Sequence, residues 1–483
     1  MNTSRALALF LAVCLVGVSC SSATQASDAT DGGAESESAT TEVDGGQEVE
    51  TAEEADDVAD SDDAVDPADA DAEPIVDVAV DFGVDDEVIR VGLSIDLSGP
   101  LKSIDEAILR AHQAYFARVN ENGGIAGRQV ELLIEDHEND VPTHLDNYAK
   151  LSEESTSAAV MIGLTGGTGQ TLAISEDLVD DDLLAVSLSP YSGWSTLQGA
   201  NIFEMHASAC VVAMNSVEFL VDQSVLDSPT LAIVTRPGID ALDSAAGARF
   251  AGEALDLEIV DLAGDVSEDQ LAEVVSALVV EQPDLVFVAL SPLELAQVLG
   301  SAVNGGLDAL WSGSVGSYDP SLLEAVGPEL DQFYFPSATT AIWGTNESSA
   351  MADMMDVILA EVPGATYAQA DHFTRGWTQA LVTEAVLIEA AERNDLTRAG
   401  VLAAARAVDV SFGDLAPAQS WSGSMNDSIV RSSFIYNIDL SVAMPSETID
   451  NPGSSGLETV IDNVAGQVAQ DHQFDNACFT PTN

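Results

Sequence analysis

From residue 88 onward the chain alternates short apolar runs with amphipathic helical patterns, and this rhythm limits its fold more than any other feature. Ile89 to Ile95 reads as a strand, after which Ile104, Ile108, Ala111, Tyr115 and Val119 recur at the spacing of one helix face. Gly123 and Gly124 close that helix, because glycine tolerates the left-handed backbone of a helix end. Gln129 to Ile134 is the next strand, Leu145 to Glu153 a helix, and Ala159 to Leu164 a strand. Gly166-Gly167-Thr168-Gly169 opens a further helix before the strand Leu183 to Leu188. Such a β-α-β-α-β series predicts a parallel sheet with helices on both faces. The pattern returns later, with strands at 230–234, 257–262, 285–290 and 309–311 and helices at 241–255, 267–281 and 293–304. Ser267-Glu268-Asp269-Gln270 has the spacing of a capping box for one of those helices. Two α/β units predict two lobes. Periodicity leaves open which lobe the helical run Ala368 to Glu392 completes.

The first 88 residues belong to neither unit. Met1 to Ser19 carries Arg5 and a short apolar run from Ala6 to Val18, which fits a signal-peptide core rather than a membrane span. Gly17-Val18-Ser19-Cys20 resembles a lipoprotein signal with Cys20 as the lipidated residue, although Gly17 stands where Leu, Val or Ile is usual; plain secretion is the alternative. Residues 21–88 hold 24 Asp and Glu and no Lys or Arg. That composition cannot offset its ordering entropy by apolar burial, so the segment is expected to be a disordered tether. The remaining 395 residues carry 58 acids against 13 bases. Binding to nucleic acid requires cationic surface to displace phosphate counterions, and this balance excludes it. Cys210 and Cys478 are the two cysteines left beyond Cys14 and Cys20, and in an exported chain they are expected to form a disulfide, with two unpaired buried thiols as the other reading.

Several motifs in the body fall in a recognisable order. Arg90-Val91-Gly92-Leu93 precedes Leu97-Ser98-Gly99-Pro100, and Val119-Asn120-Glu121-Asn122-Gly123-Gly124-Ile125-Ala126-Gly127-Arg128 follows. Then come Glu135-Asp136-His137-Glu138-Asn139-Asp140-Val141-Pro142, Ile162-Gly163-Leu164-Thr165-Gly166-Gly167-Thr168 and Ser187-Leu188-Ser189-Pro190. With these residues the body resembles the type 1 periplasmic binding proteins, particularly the branched-chain amino-acid-binding branch of ABC transport systems, over roughly 88–445. The resemblance implies two Rossmann-like lobes joined by a three-crossing hinge, with ligand held between them. It divides the chain into a signal peptide and lipobox (1–20), the tether (21–88), an N-terminal lobe (89–206 plus 338–415) and a C-terminal lobe (207–337 plus 416–483).

Ligands of open α/β sheets bind beyond the carboxyl ends of the strands. The loops that meet this condition, together with the resemblance, nominate Ser98, Thr165, Gly166, Gly167, Thr168, Ser189, Pro190, Tyr191, Ser192, Asp240 and Tyr318 as ligand-binding residues. Gly166 and Gly167 would leave backbone N–H groups bare for an anion, with hydroxyls from Thr165 and Thr168; a plain strand-to-helix turn is the other reading. Tyr191 and Trp194 could form an aromatic wall or belong to the core. The acid that amino-acid-binding relatives place beyond the strand near Trp311 would be Asp319, with a shift of register. The six histidines show no HExxH or other i, i+4 pair, no GxSxG elbow occurs, and no cofactor, metal or catalysis is expected. The sequence therefore reads as a lipid-anchored, monomeric, extracytoplasmic solute-binding lipoprotein. It would deliver a small polar solute (amino acid, carboxylate, amide or urea-like) to ABC permease subunits on the outer face of the cell membrane. A ligand-sensing surface lipoprotein for a signalling partner, or a non-binding scaffold, are the rivals.

Overall fold

The computed structural model describes residues 78–481, apart from 265, 267–269, 315, 319–321, 323–329, 331–332, 366–369 and 439–455. Cys20, the signal segment, residues 21–77, Asp319 and the Ser267–Asp269 part of the expected capping box lie outside the described residues.

The strands of two sheets, numbered in chain order, carry the architecture. The first sheet contains β1 (Val88–Ile95), β2 (Gln129–Asp136), β3 (Met161–Leu164), β4 (Leu184–Ser187) and β5 (Ile202–Glu204), all parallel, in the order β2-β1-β3-β4-β5. The second contains β6 (Thr230–Thr235), β7 (Glu258–Ala263), β8 (Leu285–Ala289), β9 (Leu310–Gly313), β10 (Tyr334–Ala338), β11 (Ser433–Ile438) and β12 (Leu457–Val464). Its order is β12-β11-β10-β9-β8-β6-β7, parallel except where β11 meets β10 and β12. These are two Rossmann-like lobes. The chain leaves the first sheet after β5; after β10 the helices Ser349–Glu361 and Ala370–Glu392 pack against Lys102–Glu121 of the first lobe, and at β11 it rejoins the second sheet, so it passes between the lobes three times.

Successive residues of a strand face opposite sides of its sheet, and both sides of each sheet are buried. Leu231, Ile233, Leu285 and Phe287 join the helices Ala209–Gln223 and Ile239–Ala254 in one core, while Ala232, Val234, Val286 and Val288 face the other. The Ala209–Gln223 and Ile239–Ala254 helices lie very close, because a Cβ at Gly247 would stand 2.1 Å from the Cys210 carbonyl oxygen. In the first lobe Ile89, Val91, Leu93 and Ile95 pack on the helix Lys102–Glu121, and Ile162, Leu164 and Ala185 pack with Tyr148, Leu151 and Leu178 on the opposite face. The helix Ala370–Glu392 also lies in this lobe, against Lys102–Glu121, which answers the question periodicity left open.

The glycine-rich turn that closes the first helix is required by its geometry. Gly124 has φ +71°, and a Cβ there would fall 1.9 Å from the Arg128 carbonyl oxygen. Elsewhere the expected elements shift at their ends. The helix expected from Leu145 begins at Val141, because the Asp140 carboxylate accepts from Thr143 N at 3.0 Å and Pro142 suits the first turn. Strands β5, β10, β11 and β12 were not anticipated; β5 has three residues, and β11 pairs antiparallel with β10, which lies far back in the chain.

The tether expectation needs correction at its end. Residues 78–88 are folded onto the first lobe. Ala79–Val80 pairs with Asp395–Leu396, and Gly83 N donates to Ser155 O at 3.1 Å. Arg398 holds this segment in place: its backbone N–H donates to Asp81 and its guanidinium stacks 5.1 Å from the Phe82 ring. The same guanidinium donates to the carbonyls of Ala159 and Ser152 at 2.8 and 2.9 Å. The apolar residues Val78, Val80, Phe82 and Val84 separate this stretch from the acidic repeat before it.

Candidate functional site

The carboxyl ends of β1, β3 and β4 open toward those of β6 and β9, and a cavity of about 270 Å³ lies between the lobes. Thr165, Gly166 and Gly167 reach it from the β3 loop, and Ser189 and Pro190 from the β4 loop. The second lobe contributes Arg236 after β6, Asp240 from the next helix, and Tyr318 beyond β9. The apolar wall comes from Leu101, Ile104 and Ile108 on one side and Pro336, Ala338 and Ile342 on the other.

One hydrogen-bonded chain crosses between the lobes at this cavity. Thr168 Oγ1 lies 2.6 Å from Ser189 Oγ and donates to the Asp240 carboxylate. Burial raises the Asp240 carboxyl above the usual carboxylate range, while Thr168 and the guanidinium groups of Arg236 and Arg375 favour its charge. A second bridge lies behind it. Ser192 N and Oγ donate to the buried Asp243 carboxylate at 3.0 and 2.6 Å, and Phe479 N adds a bond at 3.2 Å. Cys478, disulfide-bonded to Cys210, donates its N–H to Ser192 Oγ at 2.8 Å. Tyr191 Oη donates to Phe479 O at 2.9 Å. The disulfide thus fastens the C-terminal tail over the junction of the two lobes.

Thr165, Gly166, Gly167, Ser189, Pro190, Asp240 and Tyr318 therefore meet at one cavity, and Thr168 touches two of them. Other expectations change. Ser98 is exposed and outside the cavity, with its hydroxyl on the Asp136 carboxylate at the β2 end. Tyr191 and Ser192 are buried in the bridge behind the cavity, so neither offers a free surface to a solute. Trp194 packs against Tyr191 with ring centroids 5.2 Å apart, and its indole N–H donates to Ser189 O at 3.0 Å. Nor is the glycine loop bare, because the Gly167 N–H already donates to Gln170 Oε1 at 2.7 Å.

Sequence reading passed over the two arginines. Arg375 lies on the helix Ala370–Glu392, where its Nη2 donates to Leu188 O at 3.1 Å and its buried Nε has no acceptor. Asp371, Arg375 and Gln379 recur at i, i+4 spacing along one side of this helix, and that polar stripe was the available signal. The acids of the wall are engaged already. Asp105 accepts from Thr165 Oγ1 at 2.6 Å and from Asp96 N at 2.8 Å, and burial pushes it up to about 6. Asp371 accepts from Thr340 Oγ1 at 3.2 Å.

A family profile described as "Periplasmic binding protein" matches residues 88–439. The chain belongs to the periplasmic binding protein family. This periplasmic binding protein resembles, at TM-score 0.70 and 22% identity, a fatty acid ABC transporter substrate-binding protein from Thermomonospora curvata, covering 82% of this chain and 97% of that one. It also resembles a branched-chain amino acid ABC transporter from Thermus thermophilus solved with valine, at TM-score 0.66 and 13% identity, covering 80% and 99%. A third likeness is a solute binding protein from Rhodopseudomonas palustris HaA2 solved with p-hydroxybenzoic acid, at TM-score 0.62 and 13% identity, covering 78% and 98%. No curated protein matches the chain significantly.

The buried acids of the binding protein set a pH dependence. Burial, with Asp243 nearby, pushes Glu204 up to about 8, and burial pushes Asp243 itself up to about 7. Their folded forms retain protons that the unfolded chain releases near pH 4, so they lower stability as pH rises toward those values. Four buried histidines act the other way: burial lowers His137, and lowers His112 and His144 to about 4 and His206 to about 3, so stability rises from pH 4 to about 6.5. The opposing effects overlap below pH 6.5, and above it the acids act alone. Stability should fall by about 2 kcal/mol between pH 6.5 and 8.5, most of it from Glu204. Urea unfolding at the two pH values measures this. An unchanged slope in Glu204→Gln would reject the assignment.

Proposed function

We propose that this chain is an extracytoplasmic solute-binding lipoprotein of an ABC uptake system, anchored through Cys20, monomeric, and binding a small carboxylate with an apolar body. The lobes, with boundaries near residues 206, 338 and 415, close on the solute by hinge motion and present the closed form to the permease subunits. Thr165, Gly166, Gly167, Ser189, Pro190, Asp240 and Tyr318 line its site, with Arg375 and Arg236 as the anion-binding groups.

The observation that carries the ligand class is the Arg375 guanidinium, set at the cavity with a buried Nε that no acceptor satisfies. A guanidinium presents a planar fork suited to a carboxylate, and an incoming carboxylate would satisfy it. Each of the cavity's acids already accepts a threonine hydroxyl, from Thr165, Thr168 or Thr340, whereas the Arg375 Nε has no acceptor. The remaining wall is largely apolar and suits a hydrocarbon or aromatic body. Two of the relatives bind or carry names for such acids, a fatty acid and p-hydroxybenzoic acid.

Thermal unfolding of the chain with matched pairs tests this: hexanoate against hexanamide, 4-hydroxybenzoate against its amide, and valine or isoleucine. An acid at a hundred times its Kd should add about 2.7 kcal/mol, with no comparable effect from its amide. Equal stabilisation by acid and amide, or by the amino acids alone, would reject the carboxylate reading.

A further inference from the structure

A second and larger cavity, about 470 Å³, lies apart from the cleft, beside the edge strand β5 where the chain leaves the first lobe. Trp194, Phe203 and Trp421 line it, with Glu204, Arg406 and Ser422. The two indole N–H groups are committed elsewhere, that of Trp194 to Ser189 O and that of Trp421 to Glu204 O at 2.7 Å. Phe203 and Trp421 stand 5.3 Å apart between centroids. With the indole N–H groups engaged, Trp194 and Trp421 bring aromatic carbon rather than a free donor to the lining.

The Glu204 side chain completes the lining. The residue is only 7% exposed, and among the described residues nothing donates a hydrogen bond to its carboxyl. A buried carboxyl without a partner is costly, and its natural complement is a cation. Aromatic π-faces attract organic cations, more strongly when water is excluded. We propose that this cavity is a binding site for a small organic ammonium compound, its cationic end held by Glu204 among Trp194, Phe203 and Trp421.

The charged groups around Glu204 agree with this assignment. Asp243, from the helix Ile239–Ala254, is the acid that acts on it, and a ligand cation would relieve that repulsion. Arg406 lies at the cavity, is exposed, and donates to Asn201 Oδ1 at 3.2 Å without forming an ion pair with Glu204. As a second charge at the cavity it favours a ligand that also carries an anionic group, such as glycine betaine, over choline. The segment carrying Trp421 adds Gln419, which donates to Glu204 O at 3.3 Å, and Ser422, neither of them charged. Glu204 ends the first sheet's last strand, and Trp421 belongs to the segment leading back to β11, so an occupant would touch two of the three connections between the lobes.

Choline and glycine betaine, titrated into the full chain up to about 10 mM, test the proposal by tryptophan fluorescence and calorimetry. At least one should bind saturably, roughly tenfold tighter at pH 9 than at pH 7, because Glu204, at about 8, must lose its proton. Glu204→Gln and Trp421→Leu should each weaken binding at least about tenfold. Arg375→Ala, which alters the cleft, should leave it unchanged. Absence of saturable binding by both probes would overturn the proposal, as would a flat pH dependence or a loss confined to Arg375→Ala. If Glu204→Gln does not fold, Trp421→Leu and the pH ratio in the native chain decide.

Discussion

Arg375→Ala should weaken carboxylate binding about a hundredfold, or roughly 3 kcal/mol, while leaving the empty protein as stable as before or more so. The two halves of this expectation have one cause. In the empty cleft the guanidinium has one carbonyl acceptor, Leu188 O, and a buried Nε with none. Keeping such a group partly unsatisfied costs stability, and removing it relieves that cost, which offsets the loss of its bond to Leu188 O and of its support for the Asp240 and Asp105 carboxylates. A bound carboxylate would supply the missing acceptor, so the same substitution would remove that contact. Arg375→Lys should recover part of the affinity, because an ammonium keeps the charge but not the planar fork. Isothermal titration with the best acid from the matched-pair screen, alongside urea unfolding of the empty variants, measures both halves. Affinity within threefold of the unsubstituted chain would remove Arg375 from the site. A large drop in the empty protein's stability would make it a structural residue instead.

Removing the Cys210–Cys478 disulfide should cost about 5 kcal/mol and loosen the junction of the lobes. The bond closes a loop over 268 residues of sequence, and in the chain-entropy description long loops yield the largest effects. Here the loss has a further, local part. The tail that the bond fastens supplies Cys478 N to Ser192 and Phe479 N to Asp243. Without it the buried Asp243 carboxylate loses a donor, and Tyr191 loses its acceptor on Phe479. The double variant Cys210→Ala, Cys478→Ala should therefore unfold at much lower urea than the parent, and reductant should reproduce the change in the parent alone. Hydrogen exchange at Ser192 should rise in both cases. A midpoint unaffected by either treatment would mean that the tail's hydrogen bonds hold it without the covalent link.

Much of the first lobe could be read from the chain because its signals are local. The strands and helices between Val88 and Ser187 follow one another closely, each shows its own period, and the turn at Gly123–Gly124 requires a backbone that glycine adopts readily. The loops after β3 and β4 were legible for the same reason, since parallel strands put their carboxyl ends on one side. Strand β5 was missed because three residues are too short for a period, and β11 because its partner β10 lies far back in the chain. Arg375 was missed for a related reason. It comes from a helix nearly two hundred residues after the loops it joins, and its role depends on an unsatisfied nitrogen that no sequence displays.

The sequence by itself determined the alternating α/β rhythm, the acidic segment in front of it, and the loops that form one wall of the cleft. Those properties depend on composition and on residues near one another in the chain. Only the tertiary structure decided that Asp240 of one lobe meets Thr168 of the other, that Tyr191 and Ser192 serve the junction instead of the cavity, and that two arginines face the solute space. The physical reason is burial. Which polar groups lose water, and whether they then find partners, depends on surfaces that come together only when both lobes have folded.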